Sequence, residues 1–127
     1  MAFDGTWKLD RTENYDKFME VMGVDGKLAA QDNLMTIKQN GKQFSVHESS
    51  VFNASDMVFR LEEIHEYSML GIKLVGIWRR LGLKLEGNFN RKDNKKLLKT
   101  EQEIAGGELI QTYLYEGVEA KKIFKRE

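Results

Sequence analysis

The chain contains neither cysteine nor proline. Without cysteine it has no disulfide framework, no thiolate metal site and no cysteine nucleophile, and a fold without covalent staples suits a reducing compartment. Proline cannot donate to a sheet ladder and collects at edges, loops and helix starts. Its absence beside 11 glycines fits many paired strands joined by tight turns. An excess of one charge is missing too. The 20 basic and 20 acidic side chains cancel, which leaves no electrostatic footprint for nucleic acid or an anionic membrane. No apolar run approaches the roughly 18 residues of a membrane span. The opening Met1-Ala2-Phe3-Asp4-Gly5 lacks the regions of a signal peptide and the glycine of a myristoylation site. The expected location is the cytoplasm.

What remains is enough for one domain over residues 1–127. At 41% hydrophobic the chain can build a core, and at 31% charged it can wet its surface. Thr6-Trp7-Lys8-Leu9-Asp10 alternates as a short strand. Tyr15, Phe18, Met19 and Met22 then recur at helical spacing, with Thr12 or Asn14 placed to cap the start and Gly23 to stop the helix. Asp25 is placed to cap a second, two-turn helix over Lys27 to Asn33, anchored by Leu28.

From Leu34 the period changes to two. Leu34 to Gln39 and Gln43 to Glu48 flank Asn40-Gly41, a strong hairpin signal. Further strands follow over Met57 to Leu61, Glu62 to Leu70 (where alternation is poor), Ile72 to Trp78 and Leu83 to Phe89. Three more run from Leu97 to Ile104, Leu109 to Tyr115 and Val118 to Phe124. One strand, a helical insert and about nine more short strands indicate an all-β, antiparallel barrel or sandwich.

The last strands set a puzzle. Leu109, Gln111, Tyr113 and Tyr115 share one face, with Ile110, Thr112 and Leu114 opposite; Val118, Ala120, Lys122 and Phe124 also share a face. Buried Gln, Tyr and Lys are costly unless bonded to one another, to water or to a ligand. Alternation leaves two readings level: the polar face lines a hollow barrel, or it faces solvent while the other face is core.

The runs Gly5-Thr6-Trp7-Lys8-Leu9 and Asn14-Tyr15-Asp16-Lys17-Phe18-Met19 resemble the intracellular lipid-binding proteins, most closely their intestinal fatty acid-binding branch. The likeness continues through Lys27-Leu28-Ala29-Ala30, Asp32-Asn33-Leu34 and Glu48-Ser49-Ser50. It is strongest at Glu108-Leu109-Ile110-Gln111-Thr112-Tyr113 and Tyr115-Glu116-Gly117-Val118-Glu119-Ala120-Lys121, and weakest over Glu62 to Arg80. The resemblance implies a ten-stranded antiparallel up-and-down barrel with a two-helix lid between the first two strands. It implies a monomeric, non-catalytic carrier of a long-chain fatty acid or similar hydrophobic ligand, with no cofactor and no metal. Ligand would enter past a portal at Val24, Leu28, Phe52, Met69 and Leu70. Tyr15, Phe18, Met19, Phe52, Tyr67, Leu74, Trp78 and Tyr113 match cavity-lining positions, each with the plain alternative of simple core. Trp78 and Gln111 match the polar network around the ligand head group.

The departures from the pattern matter as much. Gln102 stands where the intestinal branch has an interior arginine that pairs with the fatty carboxylate, and cellular retinol-binding relatives resemble this chain in having glutamine there. Lys122 occupies a last-strand position that is basic in many members. The second helix is shortened, with only Val24-Asp25-Gly26 between Gly23 and Lys27, which would open the portal. Two alternatives follow: a carrier of retinol or another neutral lipid, or a divergent or engineered scaffold with weakened binding. Lys17 and Lys27 on the lid offer transient membrane contact, against the plain reading that exposed lysines keep a surface wet. Catalysis finds no support in the residues: His47 and His65 lie on separate strands, and adjacent Glu62 and Glu63 point to opposite faces of a strand.

Overall fold

The structure is a computed structural model that describes residues 3–24, 33–50, 54–69 and 71–127. β1 (Gly5–Glu13) leads into α1 (Tyr15–Met22), and β2 (Asn33–Asn40) and β3 (Gln43–Ser50) form the Asn-Gly hairpin. β4 (Ala54–Arg60), β5 (Ile64–Met69), β6 (Ile72–Leu81) and β7 (Lys84–Arg91) follow. β8 (Leu97–Ala105), β9 (Glu108–Tyr115) and β10 (Val118–Arg126) complete the chain. All pairings are antiparallel, in the order β4-β3-β2-β1-β10-β9-β8-β7-β6-β5. Among the described residues every sequential pair except β4 and β5 thus forms a ladder and β1 meets β10, as in the up-and-down barrel expected.

The ends of that order, β4 and β5, carry no mutual ladder among the described residues. Side chains span the seam instead. Phe59 of β4 lies 5.6 Å from the His65 ring of β5 and 5.2 Å from the Trp78 ring of β6. The connecting turn is held by Glu62 N–H donating to the Trp78 carbonyl at 2.8 Å and Leu61 N–H to the Lys42 carbonyl at 2.9 Å.

α1 forms for the reason its spacing suggests: Tyr15, Phe18, Met19 and Met22 make one fully buried stripe. Its end is a Schellman-type cap. Gly23, at φ 80, donates to the Glu20 carbonyl and Val24 N–H to that of Met19, both at 3.1 Å. The start differs from expectation. Thr12 belongs to β1, and Asn14 sits at the cap position with φ 55 but without a side-chain cap bond. Its Nδ2 donates instead to the Glu119 carbonyl at 2.9 Å. Asparagine serves here by tolerating the left-handed backbone and tying the helix entry to β10.

Of the expected second helix, Lys27 to Asp32 lie outside the described residues, and Asn33 opens β2 rather than closing a helix.

Arg91 fastens the other end of α1 to the barrel. Only 7% exposed, its guanidinium donates to the Met22 carbonyl at 2.9 Å and the Tyr115 hydroxyl at 3.3 Å. It also forks onto both carboxylate oxygens of Asp93, at 2.9 and 2.7 Å. That hydrogen bond is the main reason the Asp93 carboxyl titrates below its ordinary 3.8. A folded-state value below the unfolded one means stability that is present above pH 3.8 and lost as pH falls through the lowered value. Melting wild type and Asp93→Asn side by side should therefore show a small, constant gap in midpoint from neutral pH downward. The gap should close in strong acid; one that persists there would place the contribution elsewhere.

Candidate functional site: the polar interior of the barrel

β9 resolves the parity question. Leu109, Gln111, Tyr113 and Tyr115 are buried while Leu114 is 42% exposed, so the polar-bearing face is the inner one. Each neighbour follows in register. Gln111 faces Gln102 on β8 and Lys122 on β10, and Tyr113 faces Thr100 and Ala120. Gln102 in turn faces Leu85 of β7, which is 2% exposed. Two interior amides thus meet across β8–β9. Gln111 accepts from the Tyr113 hydroxyl at 2.9 Å, and its Nε2 lies 3.6 Å from the Met35 sulfur.

The helix closes over this face. Phe18 stacks on Tyr113 at 5.3 Å, and Tyr15 lies edge-on to the same ring at 6.1 Å. Met19 is fully buried beside them. Lys122, half-buried, holds its ammonium 4.8 Å from the centre of the Tyr15 ring. Burial pulls the Lys122 pKa below its usual 10.5, with the charge of Glu48 opposing. Glu48 shares the inward parity of Phe44 and Val46 on β3. Burial drives the phenols of Tyr113, Tyr15 and Tyr67 above their usual 10.0, so all three stay neutral donors at physiological pH.

The β5–β7 wall is aromatic. Trp78, 2% exposed, packs on Phe59 and on Phe89 at 5.3 Å. Leu74 is fully buried on the same face of β6. Tyr67 meets Phe89 at 5.1 Å and the His65 ring at 5.4 Å. The Trp78 ring packs closely against β7 because residue 87 is glycine. A Cβ there would stand 3.0 Å from the indole, 2.8 Å from Thr100 and 2.5 Å from Phe89.

Around the interior several polar atoms find no protein partner. Among the described residues these are Tyr15 OH, Asn33 Oδ1, His65 Nε2 and Trp78 Nε1. The three on strands share the parity of buried neighbours, so they point inward. A folded chain satisfies nearly all buried polar groups from within or through water and ligands. These four atoms are placed to meet water or the polar atoms of a ligand.

Of the residues singled out in the sequence, Tyr15, Phe18, Met19, Tyr67, Leu74, Trp78, Gln102, Gln111, Tyr113 and Lys122 all lie on this inner surface. Val24 and Met69 are partly buried against the core. Leu28, Phe52 and Leu70 lie outside the described residues. His65 and Glu48 were missed. The poor alternation of β5 hid the parity that His65 shares with Tyr67 and Met69, and that parity was the available signal. His47, by contrast, is exposed and hydrogen-bonded to Asp56 at 2.7 Å. No cluster of three metal-ligating side chains occurs among the described residues, and none of their helices is long and apolar enough to cross a membrane.

No family model matches the chain. Among curated proteins it is 57% identical to "Fatty acid-binding protein, intestinal" of Rattus norvegicus and 54% identical to that of Bos taurus, each over 132 aligned positions covering both chains completely. A solved Schistosoma mansoni fatty acid binding protein in complex with arachidonic acid superposes with a TM-score of 0.89 at 21% identity. That superposition spans 99% of this chain and 96% of the other, and it is a likeness of fold.

Proposed function

The chain belongs to the intestinal fatty acid-binding proteins, and from that premise we propose that it holds one long-chain fatty acid inside the barrel and carries it through the cytoplasm. The observation that supports this most is the inward polar face of β9, Gln111 and Tyr113 above all, set in an otherwise apolar and aromatic interior. The tail accounts for most of the affinity. Each buried methylene contributes about 0.8 kcal/mol, so roughly a dozen give a gross ~10 kcal/mol before the costs of association. That suffices for micromolar binding or better. The head group meets Gln102, Gln111 and Trp78, with Lys122 as the neighbouring cation. No step of bond making is involved; the protein is a carrier that works as a monomer. The lid and the portal beside Val24 and Met69 pass the ligand in and out, with Lys17 touching acceptor membranes in passing.

Delipidated protein should bind a fluorescent fatty acid analogue with one site, and oleate should displace it. Protein isolated without delipidation should release a fatty acid to mass spectrometry. If oleate fails to displace the analogue and no lipid co-purifies, the reading falls.

A second reading is favoured by Gln102. An amide offers donors and an acceptor but no charge, which suits a hydroxyl, an ester or a protonated acid. Retinol and other neutral lipids then compete with fatty acids for the same interior.

A further inference from the structure

The hairpin between β6 and β7 carries two leucines that neither the barrel core nor the ligand site uses. Leu83 is 83% exposed, more than any other large apolar side chain among the described residues, and Leu81 is 53% exposed. The turn itself requires only Gly82, whose φ of 62 strains a residue that has a side chain. Small polar residues ordinarily fill the position after it, so a leucine there answers no demand of the fold. Leu74 and Trp78 point inward, which sets Ile77, Arg79 and Leu81 on the outer face of β6. Ile77 is half-buried, and its partner Ile64 on β5 is 78% exposed. Apolar surface therefore flanks Arg79 on both sides, along the wall and at the tip.

The same tip holds cations without a counter-charge. Arg79 and Arg80 are exposed, and neither forms an ion pair among the described residues. Arg80 Nε donates to the Gly82 carbonyl at 3.2 Å. Glu86 stands opposite Arg79, yet its carboxylate accepts from Asn88 at 3.0 Å. Lys84 is matched by Glu103 and Glu101, at 3.6 and 3.9 Å, and Glu63 by Arg60 at 2.8 Å. Glu62, in the turn bonded to the Trp78 carbonyl, adds one carboxylate to this end. Exposed leucines beside unmatched guanidiniums fit a bilayer surface, where apolar side chains enter the acyl boundary and cations meet lipid phosphates. We propose that the β6–β7 hairpin docks the protein on an anionic lipid surface, with Leu81 and Leu83 entering the interface and Arg79 and Arg80 holding the phosphates. Two leucines and two arginines give a weak, reversible association, below that of a single acyl anchor.

This contact lies far from the helix. β7 runs from Lys84, beside the tip, to Arg91, which bonds the Met22 carbonyl of α1. Strand geometry of ~3.3 Å per residue puts the hairpin about 23 Å from that bond. A protein docked by the hairpin holds α1 away from the bilayer. Lys17, on α1, is paired with Glu20 at 3.8 Å, so contact through the helix and contact through the hairpin are separable.

The chain has no cysteine, so a polarity-sensitive dye can be attached at one chosen residue. With vesicles of equal parts phosphatidylcholine and phosphatidylserine, the dye on Leu83→Cys should shift to the blue, and more than the dye on Lys17→Cys. In cosedimentation with the same vesicles, Leu83→Ser should bind about tenfold more weakly than wild type. The double variant Arg79→Gln, Arg80→Gln should lose a comparable factor on these vesicles and little on phosphatidylcholine alone. Leu83→Ser should still bind oleate as wild type does, which reports an intact barrel. No shift at residue 83, a shift confined to residue 17, or Leu83→Ser sedimenting like wild type overturns the proposal. If wild type is a dimer without lipid and Leu83→Ser a monomer, the leucines serve a second copy of the chain and membrane docking falls.

Discussion

Gln102→Arg is expected to tighten oleate binding by about 10- to 100-fold while lowering the stability of the unliganded protein. Both effects come from one charge in one place. Residue 102 is half-buried and faces inward between Leu85 and Gln111, both nearly inaccessible to water. A guanidinium there would form charge-assisted hydrogen bonds to a carboxylate, about 1.5–3 kcal/mol each against roughly half that for a neutral amide. Every 1.4 kcal/mol is about tenfold in affinity. Without ligand the same cation is poorly matched. The Gln111 carbonyl already accepts from the Tyr113 hydroxyl, and Leu85 offers nothing polar. An imperfectly paired buried group costs on the order of 1–3 kcal/mol, which should appear as a lower melting temperature for delipidated protein. Retinol should gain nothing. Parallel titrations with oleate and retinol, with melts of the free variant, separate these effects. A folded variant whose oleate affinity does not rise would show that the carboxylate lies elsewhere.

The largest loss of stability is expected from Trp7→Ala, about 3–5 kcal/mol. Trp7 is fully buried where β1 begins and β10 ends, and its Nε1 donates to the Phe3 carbonyl at 3.0 Å. The Arg126 guanidinium covers the ring at 4.2 Å, and Met35 faces it across β2. Truncation opens a cavity, orphans a carbonyl and removes the cation's seat together. Against a typical total of about 5–15 kcal/mol, the variant should be marginally folded at room temperature. Trp7→Phe keeps the ring but loses the N–H, and about 1–2 kcal/mol is the expected cost. Urea unfolding followed by circular dichroism measures both. Oleate at about 100 times its dissociation constant should restore roughly 2.7 kcal/mol to Trp7→Ala if the barrel still closes around ligand. A cost below that of Trp7→Phe would mean the ring is not a keystone of this end. Because Trp7 and Trp78 are the only tryptophans, Trp7→Phe also leaves Trp78 as the sole reporter on the wall it occupies.

Element by element, the order of the fold was legible in the chain because turns and periodicities are local. Asn40-Gly41 marked the first hairpin, the Tyr15–Met22 stripe marked α1, and Gly23 marked its end. Each signal acts within a few residues through backbone sterics and capping, so no distant partner could overrule it. The residues of the polar face were legible too, since Gln111 and Tyr113 alternate with Ile110 and Thr112. Alternation, however, is symmetric: it says which residues share a face and not which face is inside. Only when β9 lies between β8 and β10 do Gln102, Thr100, Ala120 and Lys122 line up behind Gln111 and Tyr113 and set that face inward. The same pairing turned Asn14 from a cap into a tether to Glu119 and brought His65 to Phe59 across the β4–β5 seam. Those contacts join residues far apart in sequence, and their free energy exists only once the barrel closes.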